Sequence, residues 1–309
     1  MPRSVLLVVN RDKPEAATAA AEVRGLIERY GKLVGELDSD AGEPLRDARG
    51  ADLIVVLGGD GTLLSQARRC VDLGLPLLGV NLGKLGFLAE FDLASLREQA
   101  GAVLGGSPPA THVVRMLRTE VFEPGAPAPK GAPPPVPRFT GSALNECVVT
   151  AGPPYRMISM ALSIDSEPGP TVSGDGLIVS TPTGSTAYNV SAGGPIVAPG
   201  ADATVITPIA AHSLAFRPIV VPSSSRVELT MLRVNQSFGP GDRRHGPGRG
   251  TSLVLDGHAT TWLAEGERVV VTSDGRPVHF VRNPRGSYWA TLIDKLHWAA
   301  PPRLRAGGA

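Results

Sequence analysis

Three uninterrupted apolar runs in the first third of the chain, SVLLVVN at 4–10, ADLIVVLGG at 51–59 and PLLGVNLG at 76–83, constrain its fold more than any other feature. A strand with no polar face has to be covered on both sides, as in a parallel sheet between helices. The first run precedes a segment at 14–30 rich in alanine, glutamate and arginine, and the second precedes TLLSQARRCVDLG at 62–74. Both followers have the makings of helices. Strand, helix and strand in that order predict an α/β domain with a parallel sheet over about residues 1–105.

The pattern then changes. From Thr111 onward the chain offers short β-branched or alternating runs, among them THVVRMLRTEVF, RMISMALSID, DGLIVSTP, ATVITPI, ERVVVTSD and PVHFVRN, separated by Gly, Pro, Asn and Asp. These predict a second, β-rich domain over about 106–285. Helical periodicity returns in YWATLIDKLHWAA at 288–300, where Trp289, Leu292, Ile293 and Leu296 fall on one face. This C-terminal helix and tail, 286–309, can pack on either domain. EPGAPAPKGAPPPVPR at 123–138 and FGPGDRRHGPGRG at 238–250 read as long hairpin loops between strands.

Composition narrows the functional classes. With 309 residues, 42% of them hydrophobic and 19% charged, the chain reads as a soluble globular protein. A formal net charge of +1 lacks the clustered basic footprint that nucleic acid or acidic lipid would select, so neither is expected as a partner. Cys70 and Cys147 are the only cysteines, and the six histidines are scattered with no HExxH. Two free thiols in a reducing compartment are expected, with no thiolate zinc site. The apolar stretch of MPRSVLLVVNRDKPEA breaks into Asn10, Arg11, Asp12 and Lys13, which reads as a first strand in a cytoplasmic protein.

The second apolar run ends in GGDGT, with Gly58, Gly59 and Gly61 around Asp60 and Thr62 next. Glycines let backbone N–H groups approach a bulky anion, so a phosphate cradle is one reading; Asp60 capping the following helix is the other. Neither GxxxxGK[ST] nor GxGxxG is present, so the turn is not a P-loop or a dinucleotide fingerprint. Further on, SGDGLIVSTPTGSTAYNVSAGGP at 173–195 crowds five hydroxyl residues between Ser180 and Thr186, then adds Tyr188 and Asn189. An aromatic face among convergent polar groups suits a nucleoside pocket, and a Thr- and Ser-rich turn is the alternative. Asn145 and Glu146, adjacent in LNECVVTAGPPYR, can cap a turn or fix a base edge and a ribose diol.

GGDGT at 58–62, NLGKLGFLAE at 81–90, LNE at 144–146, DGLIVSTPTGSTAY at 175–188, SAGGPIVAP at 191–199 and AHSLAFRPIVV at 211–221 together resemble the conserved blocks of the NAD kinases, in their usual order. GGDGT alone marks only a superfamily shared with lipid kinases, whereas DG followed by TPTGSTAY is far more specific. The resemblance covers nearly the whole chain and implies the two-domain NAD kinase-like fold. It also implies a Mg²⁺-dependent phosphoryl transfer from ATP, or in some members inorganic polyphosphate, to the 2′-hydroxyl of the adenosine ribose of NAD, giving NADP.

By position, Asp60 corresponds to the family's carboxylate, with Gly59, Gly61 and Thr62 around the donor phosphates; Mg²⁺ enters mainly with those phosphates, and no residue is assigned as a metal ligand. Asp60 accepts the hydroxyl proton or only orients the hydroxyl, because a carboxylate of pKa about 4 is a weak base at neutral pH. Asn145 and Glu146 are similar to the pair that holds NAD through its adenosine and ribose hydroxyls, Asp175 to the carboxylate that reaches the nicotinamide portion, and Thr183, Thr186, Ala187, Tyr188 and Ser191 to the strip lining the dinucleotide. Phe87 matches a position in the same site or packs in the core. Arg156 matches a basic position able to meet a phosphate, and is equally readable as an exposed arginine.

Two departures stand out. Ser65 replaces an arginine common after GGDGT, which leaves Arg68, Arg69 or Lys84 to contact phosphate. His258, in LDGHAT, stands where relatives carry Ser or Gln, or is a satisfied structural histidine. Rival readings are an NAD(H)-sensing protein without turnover and a lipid kinase of the same superfamily; the Thr, Ser, Tyr and Asn strip favours a nucleotide over an acyl chain. The family implies a homodimer or homotetramer.

Overall fold

The computed structural model describes residues 2–39, 45, 48, 50–83, 85–125, 135–235 and 250–299. Most of the two predicted loops at 123–138 and 238–250 lies outside these residues, as does Lys84. The chain divides into two units, Met1–Val113 with Val278–Ala309, and Val114–Pro277.

The first unit opens with β1 (Ser4–Val9), α1 (Pro14–Tyr30), β2 (Lys32–Asp38), β3 (Leu53–Leu57), α2 (Asp60–Cys70), β4 (Leu77–Val80) and α3 (Leu93–Val103). The strands are parallel in the order β2-β1-β3-β4. Every residue of β3 and β4 is buried, as continuous apolar runs require. Pro14 starts α1 where its missing N–H costs nothing, and Ala16, Ala19, Ala20, Val23 and Ile27 form the buried face. Helix α1 ends at Gly31, where a Cβ would press on the Arg3 carbonyl oxygen at 2.8 Å. Asp92 and Ser95 close a reciprocal cap on α3. Strand β2 carries no continuous apolar run, because as an edge strand it buries none of its residues fully.

The second unit contains most of β5 (Thr111–Phe122), then β6 (Phe139–Ala143), β7 (Glu146–Thr150), β8 (Ile158–Ile164), β9 (Glu167–Gly174), β10 (Gly176–Ser180), the one-turn helix α4 (Tyr188–Ser191), β11 (Ala203–Ile209), β12 (Ile219–Pro222), β13 (Val227–Arg233), β14 (Ser252–Leu255), β15 (His258–Trp262) and the first part of β16 (Arg268–Val281). One antiparallel sheet runs β12-β11-β10-β7-β14-β15. In the other face of the unit, β13 pairs with β16 and β8, and β8 with β9. The inward sides of these strands meet in one core that includes Met160, Leu177, Val179, Leu229, Leu253 and Val271. Strand β9, EPGPTVSG, is an edge strand, which is how it tolerates Pro168 and Pro170.

ERVVVTSD and PVHFVRN are one strand, not two. Gly275 and Pro277 signal a break, but the Asp274 carboxylate takes the Arg276 N–H at 3.1 Å and its guanidinium at 2.6 Å and keeps the segment extended. The last residues of β16 return to the first unit, where Phe280 lies parallel to Leu77 of β4. The chain then enters α5 (Tyr288–Leu296), capped by Ser287 and belonging to the first unit.

Candidate active site

In the first unit β1 and β3 end side by side, Val9 opposite Leu57, and each hands the chain to a helix. The carboxyl ends of parallel strands are where open α/β sheets bind ligands, and helix N-termini present N–H groups to anions. The glycines of GGDGT do different work. A Cβ on Gly58 would meet the Thr62 side chain at 2.5 Å, so Gly58 lets the turn close. Gly59 is the N-cap of α2, with Lys13 Nζ and Asn81 Oδ1 each 3.8 Å from where its Cβ would stand. Gly61 faces open space. Asn10, at the end of β1, donates to Thr62 Oγ1 at 3.0 Å, and its own Oδ1 is buried without a hydrogen-bond partner among the described residues.

Asp60 is the first residue of α2, yet its carboxylate does not cap that helix. It turns to the segment after β4, where Oδ2 accepts the Phe87 N–H at 2.8 Å and Oδ1 accepts those of Leu88 and Ala89 at 3.2 and 3.0 Å. An ionised carboxylate offers about four acceptor positions. Three N–H bonds therefore fix Asp60 and leave room for one further donor. Phe87 is half-buried, its ring 6.1 Å from that of Tyr288.

In the second unit the sequence block LNE is organised by a residue that sequence reasoning passed over. Asp256, in the β14–β15 turn, accepts the N–H groups of Leu144, Asn145 and Glu146 at 2.9, 2.7 and 3.3 Å. Thr181 locks the next block on, donating its N–H to the Asn145 carbonyl at 2.9 Å and its hydroxyl to the Leu144 carbonyl at 2.7 Å. Gly184 belongs there because a Cβ would overlap the Asn145 carbonyl oxygen. Glu146 is buried at the start of β7, and its Oε2 has no hydrogen-bond partner among the described residues. Burial first, then the nearby Asp256 carboxylate, push the Glu146 carboxyl up to about 7, opposed by the N–H of Tyr188.

The hydroxyl cluster is mostly architecture. Ser180, Thr181, Ser185 and Thr186 all donate to backbone carbonyls within the unit, and among the described residues only the Thr183 hydroxyl of the five makes no hydrogen bond. The Asn189 amide is likewise spent, on the Ser185 and Pro195 carbonyls and the Thr207 hydroxyl. Short side chains in a tight turn reach their own backbone first. Thr183 and Thr186 bound a single turn of 3₁₀ helix, Ala187 follows it, and Tyr188 and Ser191 are exposed on α4.

Asn145, Glu146, the Thr183–Tyr188 strip and His258 thus gather at one end of β7 and β10, where Glu146 pairs with Ser180. Asp175 does not join them. It precedes Gly176, which pairs with Thr150, so it stands at the opposite end of β10 and is exposed. Exposed Arg156 lies on the loop leaving that same end of β7. His258 is exposed beside the Asp256 turn, Nδ1 3.0 Å from the Asp256 carbonyl oxygen. The guanidinium of Arg69 reaches the Gln66 Oε1 at 3.1 Å and the Asp38 carbonyl at 3.4 Å. Lys13, by contrast, makes no ion pair among the described residues and stands beside Gly59. Its basic side chain in NRDKPEA was a signal available in the sequence.

Among the described residues no three His, Cys, Asp or Glu side chains cluster as metal ligands. Mg²⁺ needs no such cage, since it binds oxygen, keeps several waters and commonly rides on substrate phosphates. The unpartnered Asn10 Oδ1 beside Thr62 is an oxygen of the right kind for it. Cys70 and Cys147 are free and buried, and burial pushes their thiols up to about 11 and about 12.

Residues 38–107 match the ATP-NAD kinase N-terminal domain and residues 144–283 the ATP-NAD kinase C-terminal domain. The chain is 36% identical over 300 residues to the NAD kinase of Wolinella succinogenes, covering 94% of each chain. It is 40% identical over 301 residues to that of Heliobacterium modesticaldum, covering 95% of this chain and 98% of the relative. The chain belongs to the NAD kinase family. Its fold matches that of yeast NADH kinase complexed with NADH at a TM-score of 0.78 and 23% identity, over 98% of this chain and 90% of that one. An NAD kinase from Archaeoglobus fulgidus in complex with ATP matches at 0.65 and 24% identity, over 96% of this chain and 98% of the other. An α/β part with a parallel sheet and a β-rich part, the architecture expected of an NAD kinase, is what the two units present.

Proposed function

We propose that the chain is an NAD kinase that transfers the terminal phosphoryl group of ATP to the 2′-hydroxyl of the adenosine ribose of NAD, giving NADP and ADP. The observation that carries this reading is Asp60, a carboxylate pinned by three backbone N–H groups at a glycine turn, with one acceptor position left over. That position takes the 2′-hydroxyl. As the ribose oxygen attacks the γ-phosphorus and the bond to the β-phosphate oxygen breaks, Asp60 orients the hydroxyl and receives its proton.

The space left by the missing side chains of Gly59 and Gly61 at the start of α2, with the Lys13 ammonium beside Gly59, suits the donor phosphates. Asn10 Oδ1 is the protein oxygen that would help hold a Mg²⁺ ion carried in on those phosphates, and the ion would supply charge neutralisation there. Asn145 and Glu146 take the adenosine and ribose hydroxyls of NAD, an assignment favoured by the buried, unpartnered Oε2 of Glu146. A ligand hydroxyl is the donor that oxygen lacks. Asp175, at the other end of β10, is assigned to the nicotinamide portion, and Arg156, on the loop that follows β7, to a phosphate.

A homo-oligomer is the proposed assembly. Strand β12 is an edge of its sheet and exposes Ile219 and Val220, with Leu214 nearby in sequence 91% exposed. Light scattering of the purified chain tests it. The expected compartment is the cytoplasm, where free thiols persist; among the described residues no helix is long and apolar enough to cross a membrane.

The deciding experiment incubates the chain with NAD, ATP and Mg²⁺ and reads NADP through an NADP-specific dehydrogenase, with polyphosphate and NADH in parallel wells. NADP formation by the parent, reduced about 10²-fold or more in Asp60→Asn, is expected. NAD binding without turnover would replace the kinase by a sensor.

A further inference from the structure

The Asp60 carboxylate is held by a short segment, and that segment is held in turn by the last stretch of the chain within the same unit. Phe87, whose N–H makes the 2.8 Å bond to Asp60, packs its ring 6.1 Å from Tyr288, the first residue of α5. Lys295, two turns further along α5, places Nζ 5.9 Å from the centre of the same ring. Glu90, just past Ala89, is fastened by Asn283: the Asn283 N–H donates to Glu90 Oε2 at 2.8 Å and its Nδ2 to the Glu90 carbonyl at 3.0 Å. Asn283 is buried, and its Oδ1 accepts from Gln99 Nε2 of α3 at 3.0 Å. The segment between these two anchors is the one whose amides point at Asp60.

We infer that α5 serves catalysis, with Tyr288 a positioning residue that, by packing on Phe87, keeps the Phe87–Ala89 amides on the Asp60 carboxylate. Helix α5 lies beyond residue 283, where the match to the family's C-terminal domain ends. A reacting group displaced by about 1 Å can cost about 10²-fold in rate, so a packing contact with no substrate of its own can still govern turnover. The Tyr288 hydroxyl is buried without a hydrogen-bond partner among the described residues, which makes the ring, not the hydroxyl, the working part. The inference rests on the proposed activity.

The test compares the parent, Tyr288→Ala, Tyr288→Phe and Asp60→Asn in the NADP-forming assay, varying NAD and ATP separately at a temperature where thermal unfolding shows each to be folded. Tyr288→Ala is expected to lose about tenfold or more in kcat with both KM values nearly unchanged, and Tyr288→Phe to retain the parental kcat within about twofold. Hydrogen exchange of the Phe87–Ala89 amides should accelerate in Tyr288→Ala and stay parental in Tyr288→Phe. Should that protein not accumulate folded, Tyr288→Leu takes its place with the same expectations.

A folded Tyr288→Ala with parental kcat and parental amide exchange would overturn the inference. So would an equal loss in Tyr288→Phe, or a loss confined to KM, since either would put Tyr288 against a substrate. A parent no faster than Asp60→Asn would overturn the proposed role of Asp60, and this inference with it.

Discussion

Gly86 and Asp60 approach so closely that a Cβ on the glycine would overlap the carboxylate. The approach lets the amides of Phe87, Leu88 and Ala89 converge on both carboxylate oxygens. Gly86→Ala is therefore expected to leave a folded protein whose Asp60 has been pushed aside, with kcat down by about 10²-fold. Steady-state kinetics beside a thermal melt checks this, and parental kcat would show that the three N–H bonds are dispensable.

Lys13 is expected to carry the phosphate contact that Ser65 cannot. Its Nζ lies 3.8 Å from the Cβ position of Gly59. Lys13→Ala should raise the KM for ATP by about 10- to 100-fold and leave that for NAD within about twofold, the loss of a charge-assisted contact being worth about 1.5–3 kcal/mol. Equal effects on both substrates would place the ammonium elsewhere.

Glu146 sets a pH window. Its carboxyl is raised from 4.5 to about 7 in the folded protein, so the fold holds an extra proton between these values. Stability is accordingly greatest below about 4.5 as far as this group is concerned, and falls as pH rises through 7, by up to roughly 3 kcal/mol. Glu146→Gln should be stabilised relative to the parent at pH 8 more than at pH 5 in denaturant titrations. NAD, by donating a hydroxyl to the ionised carboxylate, should release a proton on binding near pH 7, which calorimetry in buffers of different ionisation enthalpy would register.

Asp256→Ala should be the most damaging substitution in the second unit. It strands the N–H groups of Leu144, Asn145 and Glu146, each worth about 1–3 kcal/mol when buried and unpaired. A fall of several kcal/mol in urea-unfolding free energy and weakened NAD binding are expected together. Weakened binding at undiminished stability would mean that Asp256 touches the ligand itself.

The fold was legible where burial leaves a periodic trace. Strands β1, β3 and β4 and helix α1 follow from apolar runs and their polar followers, and the alternating runs beyond Thr111 became β5, β8 and β11 almost residue for residue. Strands β2 and β9 left no such trace because edge strands bury little. In the site, GGDGT and LNE could be read as chemistry, but the partner of neither could. Asp60 meets amides 27 to 29 residues away, and Asp256 meets amides 110 to 112 residues away. The hydroxyls of STPTGST read as ligand contacts because their residue types allow it; four of the five turn inward instead.

By itself the sequence determined the element types, the glycine turn and its acid, and the family, since each is encoded in residues close together along the chain. The tertiary structure alone decided what Asp60 is bonded to, that Asp175 and Glu146 stand at opposite ends of the paired strands β7 and β10, and that the last helix belongs with the first unit. These are outcomes of long-range packing and of the competition for backbone N–H groups, which is settled only when distant segments are brought within about 3 Å of one another.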